Sequence, residues 1–199
     1  MLYPIFVNLK GKQVLIVGGG KIATRKLKGL IATEAALSVI SPTITEEMRE
    51  LIMSYSIEWH ERAYRKGDLT EAHLIIAATN DRWVNRLILS EAKDWQWVNI
   101  ADAAEQGNVQ LPAHVSRGKL TLAISTEGAS PELAKKIKKD LSGQYGASYE
   151  SYLDFLYNCR ERIKNVTLNE TEKRLILRRL LDTDFQDEAR QQAVLGDFP

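Results

Sequence analysis

Residues 13–26, Gln-Val-Leu-Ile-Val-Gly-Gly-Gly-Lys-Ile-Ala-Thr-Arg-Lys, pass from β-formers through three glycines into helix formers. The pattern predicts a buried strand, a tight turn and a helix start, in that order. Gly18, Gly20 and Ala23 fall in the spacing G-x-G-x-x-A directly after the strand at 14–17, the arrangement of a turn that receives a dinucleotide pyrophosphate. Each position has a physical task. Gly18 permits the sharp turn, Gly20 lets phosphate approach the backbone, and small Ala23 allows the helix to pack on the strand. Free N–H groups around Lys21 and Ile22, with the positive end of the helix dipole, then favour an anion without a basic side chain touching it. A glycine run is otherwise only a permissive turn, so the order of the surrounding elements decides the matter.

That order supports the dinucleotide reading. Residues 21–32 read as the first helix and 35–40 as a second buried strand, stopped by Ser41-Pro42. Residues 43–53 are helical in pattern, with Thr43 or Thr45 as cap and Glu46 and Glu47 in the first turn. Residues 56–60 alternate like a strand, 73–78 are apolar like a strand covered on both faces, 82–93 are helical and 96–100 make a fifth strand. Strands and helices alternating to about residue 100 predict a doubly wound parallel sheet with right-handed crossovers. Beyond Ala101 the rhythm changes. Residues 109–114 and 120–125 flank Ser116-Arg117-Gly118 with no helix between them, which predicts an antiparallel pair. From Ser130-Pro131 the pattern is helical, with Ser130 as N-cap, Pro131 at the first helical position and Glu132 in the first turn. Further helices are predicted over 149–164 and 169–181, with a weaker one after Asp184.

Composition narrows the partners. The 27 Lys+Arg and 26 Asp+Glu leave a formal net charge of +1, so no global field recruits nucleic acid or an anionic membrane. No apolar run approaches the roughly 20 residues of a membrane span. Met1-Leu2-Tyr3-Pro4 lacks the features of a signal peptide, which makes the cytoplasm the expected compartment. The single cysteine, Cys159, excludes an internal disulfide or a cysteine metal cluster, and His60, His73 and His114 show no metal-ligand spacing. His60 and His73 bound strands and read as structural, while His114 remains a weak site candidate. No metal site is expected.

Five motifs now stand in one order: Tyr3-Pro4-Ile5-Phe6 with Leu9 and Lys10, the Val17 to Lys26 turn, Ala77-Ala78-Thr79-Asn80-Asp81, Val98-Asn99-Ile100-Ala101-Asp102, and Ser125-Thr126-Glu127-Gly128-Ala129-Ser130-Pro131. With them the chain resembles, over nearly its whole length, the precorrin-2 dehydrogenase family of sirohaem biosynthesis, which includes one half of multifunctional sirohaem synthases. The resemblance implies NAD⁺-dependent oxidation of precorrin-2 to sirohydrochlorin, with iron insertion added in some members. It implies an α/β fold in three parts: a Rossmann-like NAD-binding domain over 1–107, a small antiparallel β dimerisation region over 108–145 and a helical domain over 146–199. A homodimer is the usual assembly.

Ligands of open α/β sheets lie beyond the carboxyl ends of the strands, where the strand order reverses. Four loops should meet there: Gly18 to Ile22, Ser41-Pro42-Thr43, Thr79 to Asp81, and Ala101-Asp102. Ser41-Pro42-Thr43 occupies the place of the usual ribose-binding Asp or Glu, so NAD over NADP rests on the resemblance. Thr79 and Asn80 are cofactor candidates, although this segment could equally only cap a helix. The family motif puts its functional aspartate at Asp102, as a general base or as a group binding a pyrrole N–H; a loop carboxylate capping a turn is the plainer alternative. A polycarboxylate tetrapyrrole also needs donors, for which Ser125, Thr126 and Lys135 are candidates beside Lys136, Lys138 and Lys139, unless the lysine run is only a solvated face.

Two other functions compete. One adds ferrochelation in the same cleft. The other is a non-catalytic dinucleotide sensor whose helical tail meets a partner. Nucleic acid is a poor partner, because Glu170, Glu172, Asp182 and Asp184 flank the basic pairs Lys173-Arg174 and Arg178-Arg179.

Overall fold

The structure is a computed structural model and describes residues 2–197. The chain divides into two compact units, Met1–Leu111 and Pro112–Pro199.

In the first unit, strands β1 (Gln13–Val17), β2 (Ala36–Ile40), β3 (Glu58–His60), β4 (Leu74–Ala77) and β5 (Trp97–Ile100) form a parallel sheet in the order β3-β2-β1-β4-β5. Helices α1 (Lys21–Leu30), α2 (Glu46–Tyr55) and α3 (Arg82–Glu91) accompany it. Alternate residues of β1 face opposite ways. Val14 and Ile16 join Ala23, Leu27 and Leu30 of α1 and Met48 of α2 in one core, and Leu15 and Val17 join Ile75, Val98, Ile100 and Ile88 of α3 in the other. A sheet buried on both faces accounts for the apolar composition of β1 and β4. α2 begins at Thr45, whose hydroxyl accepts from the Met48 amide at 3.2 Å, which settles the choice between Thr43 and Thr45.

The alternation expected to residue 100 has one gap: residues 61–73, between β3 and β4, form turns and no helix. This stretch buries Leu69 and Ala72 in the core and packs Tyr64 against it, too little apolar surface to require a helix. It is held instead by Arg62, whose guanidinium donates to both carboxylate oxygens of Asp68 at 2.8 and 2.9 Å. The strand expected from Val109 also starts later. The amides of Asn108 and Val109 both donate to the Val98 carbonyl, and Val109 and Leu111 pack on the sheet core, so the chain folds back under β5 before the next strand begins at Ala113.

In the second unit, β6 (Ala113–Arg117) and β7 (Leu120–Ile124) pair antiparallel through a Gly118-Lys119 turn, with Gly118 at φ 52°. Helices α4 (Pro131–Gln144), α5 (Ser148–Lys164), α6 (Glu170–Arg179) and α7 (Glu188–Asp197) follow. Ser130 caps α4 through the Leu133 amide, with Pro131 in its first turn, and Asn169 caps α6 in a reciprocal box with Glu172. Tyr152, Phe155, Cys159 and Leu180 form the core of this unit, where the Tyr152 hydroxyl donates to the Leu180 carbonyl at 2.8 Å. Burial pushes the Cys159 thiol up, as suits a packed, unreactive side chain.

Candidate active site

The strand order reverses between β1 and β4, and the loops after β1, β2, β4 and β5 leave the same edge of the sheet. Gly18 stands at φ 123°, where a Cβ would lie 2.3 Å from the Ala78 carbonyl oxygen; the loop after β4 presses against it. Gly19, to which the spacing assigns no task, is as constrained: a Cβ there would sit 2.0 Å from the Thr43 carbonyl oxygen and 2.8 Å from the Ser41 hydroxyl. At Gly20 a Cβ would meet no atom within 4 Å. Gly18 and Gly19 are therefore glycines for the protein's own packing, while Gly20 faces open space from which a ligand can approach.

Gly20 is also the N-cap of α1. No side chain caps this helix, its first turn carries no acidic residue, and Lys21 and Ile22 at its start are exposed. The first amides of a helix have no partners within it and here no side chain supplies one, which, with the dipole behind them, fits an anionic pyrophosphate. The residues present therefore suit a dinucleotide: the backbone of Gly20, Lys21 and Ile22 for its phosphates, with Thr43 beside them.

At the end of β2, Ser41 is buried and its hydroxyl donates to the Thr43 carbonyl at 2.6 Å. It shapes the turn, while Pro42 and Thr43 are exposed. After β4, Asn80 is exposed and Asp81 caps α3 by accepting from the amides of Trp83 and Val84. The capping alternative thus holds for Asp81, and Thr79 braces the same turn: its Oγ1 accepts from the Asp81 amide at 3.2 Å and lies 2.9 Å from the Asp81 carbonyl. Thr79 Oγ1 also lies 2.8 Å from Asn85 Oδ1, its amide approaches the same oxygen at 3.4 Å, and its carbonyl accepts from Asn85 Nδ2 at 3.2 Å.

Asn85 Nδ2 also donates to Asp102 Oδ1 at 3.1 Å. The Asp102 side chain is 38% exposed, and its Oδ2 lies 3.8 Å from Arg82 Nε. Asp102, Asn85, Arg82, Arg86, Ile100, Ala103, Glu105 and Gln106 line a niche of about 210 Å³. Drug-sized pockets occupy about 300–1,000 Å³, so this niche is too small to enclose a large ligand whole. The sequence reading missed Asn85, Arg82 and Arg86. For Asn85 the signal was present: the fourth residue after the α3 cap lies on the helix's buried face with Ile88, where a polar side chain implies a specific partner.

The remaining predicted residues belong to the second unit. The Ser125 hydroxyl accepts from the Glu127 amide at 3.1 Å, and Thr126 Oγ1 exchanges hydrogen bonds with the Ser130 backbone at 3.2 Å, so both shape the loop that leads into α4. Lys135 pairs with Glu132 at 2.5 Å and Lys136 with Asp140 at 3.1 Å. His114 is exposed on β6. Among the described residues no group of three or more His, Cys, Asp or Glu could hold a metal ion.

Comparison with known proteins agrees with this geometry. Residues 5–113 match a family described as putative NAD(P)-binding, residues 117–144 the sirohaem biosynthesis protein central family, and residues 149–194 the SirC C-terminal domain. A precorrin-2 dehydrogenase of Priestia megaterium is 40% identical over 93% of this chain and 92% of its own length. One of Bacillus subtilis (strain 168) is 35% identical over 81% of this chain and 99% of its own. A siroheme synthase of Pseudomonas fluorescens (strain SBW25) is 35% identical over 98% of this chain, which spans 42% of that protein. The solved structure titled SirC, precorrin-2 dehydrogenase superposes with a TM-score of 0.83 at 38% identity, covering 99% of this chain and 98% of that one. The glycine turn, the Asp102 loop and two precorrin-2 dehydrogenases matched over 92% and 99% of their own lengths lead to one conclusion: the chain belongs to the precorrin-2 dehydrogenase family.

Proposed function

We propose that this protein oxidises precorrin-2 to sirohydrochlorin, with NAD⁺ as the acceptor of two electrons and one proton in the form of a hydride, and a second proton released. The observation that carries the reading is a carboxylate, Asp102, fixed by a buried amide on the same sheet edge as an uncapped helix N-terminus behind Gly20. Bound NAD⁺ supplies the hydride acceptor. The backbone at Gly20, Lys21 and Ile22 holds its phosphates, Gly18 makes the turn that brings them there with its own amide bonded to the Ile40 carbonyl at 2.9 Å, and Ser41, Pro42, Thr43, Thr79 and Asn80 border the rest. Asp102 takes the proton that leaves the macrocycle, or binds a pyrrole N–H. Arg82 and Arg86 line the same niche and offer guanidinium donors to a substrate carboxylate. In the second unit, Ser125, Thr126 and Lys135 are further donors of the kind that a substrate carboxylate takes.

The three matched family segments support a three-part organisation with bounds near 1–107, 108–145 and 146–199. A homodimer through the central part is supported by α4, none of whose residues is buried although Leu133, Ile137 and Leu141 recur along one face. No described helix is long and apolar enough to cross a membrane, and the biosynthetic role supports action in the cytoplasm.

Substitution tests the site directly. Asp102→Asn is expected to bind NAD⁺ as wild type does and to lose about 10²–10⁴-fold in turnover. Wild-type turnover in that variant would remove Asp102 from the chemistry. Ferrous iron added to the completed reaction separates a dehydrogenase from one that also inserts iron into sirohydrochlorin.

A further inference from the structure

We propose that Asn85 is a positioning residue for Asp102, a donor that fixes the carboxylate on which the oxidation depends and ties it to the loop after β4. The inference rests on the reading of Asp102 given above.

The orientation of the amide is determined by its partners. A primary amide has two donors at one end and an acceptor oxygen at the other. One end of Asn85 meets the Thr79 backbone N–H and hydroxyl, and an N–H can only donate, so this end is Oδ1. The other end meets the Thr79 carbonyl and the Asp102 carboxylate, both acceptors, at 3.2 and 3.1 Å. The flipped amide would set two donors against the Thr79 N–H and an oxygen against two acceptors. Asn85 is 3% exposed, so water does not compete for these bonds, and losing one leaves a buried group unpaired. The side chain that holds Thr79 therefore also presents a fixed N–H to Asp102.

Charges around Asp102 come from two elements. Arg82 and Arg86 stand on α3, with Arg82 Nε at 3.8 Å, and Glu105 follows in the loop after β5. Arg82 is 83% exposed along its side chain, so solvent screens it and it constrains direction weakly. Asn85 is the buried member of the set and supplies the fixed direction.

The test uses the full chain and compares Asn85→Asp with Asn85→Ala. Asn85→Asp keeps the shape but replaces the donor facing Asp102 with an oxygen, setting two carboxylates within hydrogen-bond distance. Its kcat is expected to fall, and to fall most toward acid pH, with the acid limb of the kcat profile displaced upward by about one pH unit or more. Asn85→Ala removes the donor without adding charge, and lowers kcat about tenfold without that displacement. NAD⁺ affinity should change less than kcat in both. Asn85→Asp added to Asp102→Asn should cause no further loss. An Asn85→Asp profile that superposes on wild type would overturn the inference, as would losses that multiply in the double variant or fall equally on NAD⁺ affinity and kcat in both single variants. An active wild type with those results fails this inference alone, whereas a wild type inert toward precorrin-2 fails the functional reading beneath it.

Discussion

Gly19 and Gly20 are neighbours, yet the turn asks opposite things of them. A Cβ on Gly19 collides with the Thr43 carbonyl, and one on Gly20 meets nothing. Gly19→Ala should lower unfolding stability by about 2–4 kcal/mol, because backbone and not a flexible side-chain tip must give way. Gly20→Asp should leave thermal stability at or above wild type, since its φ of −82° suits any residue and Asp is a good N-cap. Its carboxylate would take the place meant for phosphate, so NAD⁺ affinity should fall by about a hundredfold or more, equivalent to about 2.7 kcal/mol. Calorimetric unfolding and NAD⁺ titration of the two variants separate the outcomes; undiminished affinity in Gly20→Asp would contradict the phosphate assignment. Gly18, Gly20 and Asp102 are named by motifs, so their places in the loops after β1 and β5 were legible. Gly19 was not, because its constraint is a contact with the loop after β2, far along the chain, and spacing carries no record of such a contact. Asn85 was half legible: its place on a buried helix face announces a partner, but only the fold brings Asp102 to it.

At the scale of elements, strands and helices with strong periodicity appeared where expected, and the departures lie where tertiary contacts override pattern. Val109 and Leu111 look like the start of a strand, but their apolar side chains are used against the sheet core of the first unit. The β3–β4 connection has too few apolar residues to bury a helix, and the Arg62–Asp68 pair orders it instead. Burial raises the Asp68 carboxyl, but hydrogen bonds from Arg62 and the Arg65 amide, with the charge of Arg62, outweigh it and hold the group below the usual carboxylate range. The sign follows: a depressed folded value stabilises the protein above the unfolded value, 3.8 for Asp68, and that stability disappears as pH falls through the folded value. Asp68→Asn should therefore melt at a lower temperature than wild type at pH 7, with the gap narrowing below about pH 4. Melting curves across that range check it, and a gap constant with pH would contradict the ion-pair account.

For the molecule as a whole, the near-neutral charge names no substrate, and no described helix is long and apolar enough to cross a membrane. The parallel sheet, the antiparallel pair and the helical tail were all readable, since each rests on local periodicity and capping. The grouping of Arg82, Asn85 and Arg86 with Asp102 was not, because it depends on how separate segments meet. The most direct test of the central claim is an anaerobic mixture of purified protein, precorrin-2 and NAD⁺, followed by absorbance for NADH and sirohydrochlorin together. The account predicts that both appear in equal amounts, at a rate proportional to enzyme. Demonstrable NAD⁺ binding with neither product formed would contradict it and leave a dinucleotide sensor in its place.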